Sequence, residues 1–109
     1  MRFIDSNIFA YAFYENQNKA RCQEIIKEGG VTNTLNLIEA YNIIQFEINK
    51  EYAKEAITSL LKSNLKIVDV NLNLVFEALK RTEKYKNLKF IDLIHYITAL
   101  FYDCNEIAS

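Results

Sequence analysis

The chain has 109 residues, 50% hydrophobic and 25% charged. That describes one folded domain at roughly 150 residues per domain and excludes a disordered tail or a coiled-coil rod. Thirteen Lys and Arg against 14 Asp and Glu leave a net charge of −1, without the basic excess of a nonspecific nucleic-acid binder, so any such contact must come from a local site. Cys22 and Cys104 are too few and too isolated for a disulfide scaffold or a zinc knuckle. No apolar run nears the ~20 residues of a membrane span. The expectation is a soluble protein of the reducing cytoplasm with no membrane partner.

Met1 to Asp5 is a short apolar run closed by a carboxylate, as a buried strand reads where its end opens on a site. Ile8, Phe9, Tyr11, Ala12 and Phe13 follow on helical spacing, with Asn7 as the expected cap. Lys19 to Glu28 reads as a second helix stopped by Gly29-Gly30. Val31 to Asn33 is a small strand, and Leu35 to Asn49 a helix apolar on more than one face. Tyr52 to Leu61 pairs with it as a hairpin. Lys66 to Val70 is the next strand, Leu72 to Tyr85 a helix with a basic last turn, Phe90 to Tyr102 a further helix, and Glu106 to Ser109 the start of a last strand. Strands separated by helical stretches predict an α/β sandwich with a mostly parallel sheet.

Three acids stand in apolar surroundings. Asp5 ends the first strand and has Asn7 two residues on; a cap or turn is the plain alternative. Glu39 lies within Leu37-Ile38-Glu39-Ala40-Tyr41, with Leu35, Ile43 and Phe46 expected in the core beside it; the alternative is a solvated face and a lysine partner. Asp92 opens the helix from Phe90, where a first-turn acid also serves the helix dipole. Three converging carboxylates would repel one another unless a hard cation, Mg²⁺ or Mn²⁺, neutralised them. His95, one turn after Asp92, is expected to be a packed residue outside the catalytic set. Between Lys80 and Lys89 lies the one basic cluster, in which Lys84, Lys86 and Lys89 are candidates for phosphate contacts; a solvated helix end is the alternative.

Ile4-Asp5-Ser6-Asn7, Glu39-Ala40, Phe90-Ile91-Asp92 with Ala99, and Ile107-Ala108-Ser109 together resemble a PIN domain, and within that family the small VapC-like ribonuclease toxins. The resemblance implies a three-layer α/β/α sandwich and a metal-dependent endoribonuclease that hydrolyses RNA with Mg²⁺ or Mn²⁺. Asp5, Glu39 and Asp92 would be its catalytic metal ligands, with Asn7 and Ser109 as supporting polar groups. It also implies a cognate antitoxin held by the two-faced helix and its hairpin partner, and a homodimer. The family adds a fourth acid shortly after the position of Ser109, so the expectation is a truncated C-terminal end and one bound ion in preference to two. The rival expectations are a catalytically inactive PIN-like module that binds RNA or protein, and a small α/β binding domain whose acids are caps and surface charges.

Overall fold

The computed structural model describes all of residues 1–109. Strands β1 (Arg2–Ile4), β2 (Val31–Asn33), β3 (Lys66–Val68) and β4 (Glu106–Ala108) form one parallel sheet in the order β3-β2-β1-β4. Six helices connect them: α1 (Ser6–Tyr11), α2 (Lys19–Glu28), α3 (Thr34–Glu47), α4 (Lys50–Leu61), α5 (Leu72–Leu79) and α6 (Phe90–Phe101). Alternation along the strands sorts the core onto two faces. Ile4, Ile67 and Ala108 pack with Ile8 and Phe9 of α1, Ile25 of α2, Leu37 of α3 and Leu60 of α4. Phe3, Val31 and Val68 point the other way, onto Leu74 and Ala78 of α5 and Leu93, Ile94 and Ile97 of α6. Sheet and two helical layers make the expected α/β/α sandwich. The small residues Ala10, Ala53 and Ala56 let α1, α3 and α4 close around Ile44.

Local chemistry sets the element ends. Asn33, Asn49 and Asn71 cap α3, α4 and α5, each side chain accepting from an amide in the first turn. Gly29 ends α2 at φ +85°, and Gly30 at φ +150° lets β1 approach so closely that a Cβ there would lie 2.5 Å from the Arg2 carbonyl oxygen.

Several boundaries differ from the sequence reading. The cap of α1 is Asp5, not Asn7, because Asp5 keeps an extended backbone and its carboxylate accepts from the Ser6 amide. The expected basic last turn of α5 lies beyond the helix: α5 stops at Leu79 and turns run from Lys80 to Asn87. There the Arg81 guanidinium donates to the Glu77 carbonyl and the Thr82 hydroxyl to the Leu79 carbonyl, drawing on acceptors that a continuing helix would use. Strand β3 ends at Val68, and the Val70 amide donates to Thr34 Oγ1 instead of to a strand. Phe46, expected in the core, is 86% exposed: α3 buries Leu37, Ala40 and Ile44 and turns Ile38 and Phe46 outward. No helix is long and apolar enough to cross a membrane.

The sheet also locates the site. The chain steps outward from β1 to β2 to β3, then returns to place β4 on the other side of β1. In open α/β sheets, ligands bind beyond the carboxyl ends of the strands where the order reverses. Here that crevice lies between the ends of β1 and β4, which lead into Asp5 and Ser109.

Candidate active site

Asp5 is half-buried, and its Oδ1 accepts the Ser6 amide at 2.8 Å. Glu39, in the second turn of α3, is also half-buried, and its Oε1 lies 3.0 Å from Nε2 of the buried His95. Asp5, Glu39 and His95 each offer one ligand-type atom within 4.8 Å of the others. Asp92 lies outside this tight group. It is exposed in the first turn of α6 and shares with Asp5, His95, Tyr96 and Ser109 a cleft of about 220 Å³, floored by Phe3 and Ile107. The structure therefore brings Asp5 and Glu39 together and sets Asp92 and Ser109 along the adjoining cleft. Asn7 is exposed in α1.

The basic turn borders the same cleft through Leu88. Within it, Lys84 lies over the Tyr85 ring at 5.4 Å, Lys86 reaches Glu83 at 3.9 Å, and Lys89 occupies the cap position of α6. All three lysines are exposed. A larger cleft of about 510 Å³ opens at the opposite end of the sheet. It is the weaker candidate, because its arginine and two acids, Arg2, Glu28 and Glu106, are already paired with one another. Arg2 bridges Glu28 at 2.9 Å and Glu106 at 3.0 Å, and these bonds raise the guanidinium above its ordinary value.

The electrostatics of the acids are different. No Lys or Arg forms an ion pair with Asp5, Glu39 or Asp92. Two half-buried carboxylates close together repel, and a cation relieves that repulsion. Oxygen donors of this kind suit a hard divalent ion such as Mg²⁺ or Mn²⁺, so the residues present fit the metal that the fold family implies.

Beneath the acids runs a buried network absent from the sequence reading. Asn33 and Asn36 are both 0% exposed. The Asn36 amide nitrogen of the side chain donates to the Ile4 carbonyl and to Thr32 Oγ1, while its Oδ1 accepts from the Ser6 amide at 3.1 Å. Thr32 Oγ1 donates to the Ile4 carbonyl at 2.8 Å. Asn33 caps α3 through Oδ1 and donates through Nδ2 to His95 and Thr98. Every buried side-chain nitrogen and oxygen is partnered. The available signal was Asn33-x-x-Asn36, the spacing of a helix cap and its target amide. His95 is buried and packs against Phe3, ring centroids 6.0 Å apart, as expected of a core histidine. The contact with Glu39 nonetheless makes it part of the site.

The fold matches a solved structure. VapC20 of Mycobacterium tuberculosis, described as a sarcin–ricin loop cleaving toxin, aligns with a TM-score of 0.83 at 12% identity, covering 98% of this chain and 87% of that one. Comparison with curated proteins gives no match. The family model of the PIN domain matches residues 2–109, nearly the whole sequence, and the chain belongs to the PIN domain family.

Proposed function

We propose that the protein is a metal-dependent endoribonuclease, the toxin of a toxin–antitoxin pair acting in the cytoplasm, with Asp5, Glu39 and Asp92 holding Mg²⁺ or Mn²⁺. One observation carries this reading: carboxylates from β1's end and from α3 meet at the reversal point of the sheet with no Lys or Arg to neutralise them. Membership of the PIN family and the fold shared with a toxin described as cleaving the sarcin–ricin loop support it.

When bound, the ion supplies Lewis-acid chemistry, lowering the pKa of water and offsetting charge that grows on the phosphate oxygens. The protein's part is to hold and orient. Ser6 and His95 each fix one oxygen, Asp5 Oδ1 and Glu39 Oε1, so both carboxylates enter the site with their second oxygen unconstrained by these bonds. Asp92 adds charge at the cleft, Asn7 and Ser109 supply polar support, and Lys84, Lys86 and Lys89 contact RNA phosphates. No protein nucleophile is needed. The outward faces of α3 and α4, with Ile38, Phe46, Ile48 and Leu61 exposed, serve the antitoxin, with a second copy of the chain as a further partner.

Incubation of RNA with the purified protein and Mg²⁺ or Mn²⁺ tests this. Cleavage is expected, abolished by chelator and reduced on the order of 100-fold in Asp5→Asn and Glu39→Gln. Undiminished cleavage by Asp5→Asn overturns the assignment. Metal binding without cleavage by the parent identifies a catalytically inactive binding module instead.

A further inference from the structure

Of the three groups that meet at the site, His95 looks at first like a third metal ligand. Its hydrogen bonds say otherwise. Asn33 can face the ring in only one orientation. Its Oδ1 accepts from the backbone amide of Asn36 at 3.0 Å, so its other end must carry the NH₂. That end meets Thr98 Oγ1 at 3.1 Å, whose own hydrogen goes to the Ile94 carbonyl at 2.8 Å, leaving an oxygen that accepts. The second hydrogen of the same NH₂ points at His95 Nδ1, 3.0 Å away. Nδ1 must therefore be the acceptor nitrogen, and the ring proton sits on Nε2, directed at Glu39 Oε1.

We infer that Asn33 locks His95 in the Nε2–H tautomer, making His95 a positioning residue that donates to Glu39, not a metal ligand. A histidine ligating through Nε2 needs its lone pair there and usually donates its Nδ1–H outward; here the arrangement is reversed. The histidine holds one oxygen of Glu39 and leaves the ion-binding set built from oxygen atoms, the set suited to Mg²⁺ and Mn²⁺ over Zn²⁺. The consequence for metal binding rests on the function proposed above. The tautomer does not.

His95 is the single histidine, so its ring nitrogens give an unambiguous signal in two-bond ¹H–¹⁵N correlation spectra of the metal-free protein at about pH 8, above the ordinary imidazole range. The expected pattern has the proton on Nε2 and an unprotonated Nδ1. A proton on Nδ1, an average over both nitrogens, or a doubly protonated ring overturns the inference. Mn²⁺ titration then reads the positioning role. His95→Gln, which keeps a donor for Glu39, is expected to bind within a few-fold of the parent, and His95→Leu about 10-fold or more weaker. Equal losses in both variants overturn positioning. If the parent itself binds no Mn²⁺, the metal-site reading fails while the ring spectrum still decides the tautomer.

Discussion

Asp5 and Asn36 share one hydrogen: the Ser6 amide donates to Asp5 Oδ1 at 2.8 Å and to Asn36 Oδ1 at 3.1 Å. The candidate ligand and the buried amide beneath it are thereby tied to a single backbone atom. Asn36 also reaches the Ile4 carbonyl at 3.2 Å, so one side chain bridges the end of β1, the start of α1 and the start of α3.

Replacing Asn36 by Leu removes its bonds to the Ser6 amide, the Ile4 carbonyl and Thr32 Oγ1, while Ser6 keeps Asp5 Oδ1 and Ile4 keeps Thr32 Oγ1. A lost hydrogen bond whose partner stays satisfied costs about 0.5–1.5 kcal/mol. Urea denaturation is expected to show a loss in that range with an unchanged slope, whereas a loss below the measurement error contradicts a bracing role.

The glycine pair separates two effects. A Cβ at Gly29 meets nothing within 4 Å, but one at Gly30 would lie 2.5 Å from the Arg2 carbonyl oxygen. Gly29→Ala is expected to lose about 1 kcal/mol from its positive φ alone. Gly30→Ala should lose more, because β1 must shift as well. Thermal melts that rank the two variants the other way would contradict the close approach.

Glu77 gives a pH dependence. Hydrogen bonds from Lys80 and Arg81 hold its carboxyl below the ordinary carboxylate value. A lowered folded value means that the stabilisation is complete above the unfolded pKa and fades as pH falls through the folded one. Glu77→Gln should melt below the parent at neutral pH, and the gap should close in acid. A gap that widens with acid contradicts the sign.

The lysines bear on RNA. Binding of a noncleavable single strand should weaken with salt, and converting Lys84, Lys86 and Lys89 together to Gln should flatten the log–log slope by about 0.7 for each phosphate that a lysine no longer neutralises. An unchanged slope would mean that these exposed residues are merely solvated.

Much of the architecture was legible in the sequence, because apolar runs and helical periods alternate and a glycine pair marks the end of α2. The end of α5 was not, since side chains of Arg81 and Thr82 take up its last carbonyls, a competition invisible to periodicity. Nor was the outward face of Phe46, because a helix apolar all round does not say which side a neighbour covers. In the site, Asp5 and Glu39 could be nominated as acids in apolar surroundings. The bond between Glu39 and His95 spans 56 positions, and no local pattern encodes it. Asn33 and Asn36 do not stand out in the sequence, because amides at a strand–helix junction read as ordinary caps, and Asn33 is indeed one.

The central claim is that carboxylates remote in sequence act on one divalent ion. Its most direct test is the melting temperature of the metal-free protein titrated with Mn²⁺, run beside Asp5→Asn, Glu39→Gln and Asp92→Asn. At a free concentration 100 times the Kd, a single site adds about 2.7 kcal/mol to the stability of the parent. The account predicts that this gain disappears in Asp5→Asn and Glu39→Gln and shrinks in Asp92→Asn. Equal gains in the parent and all three variants would contradict it.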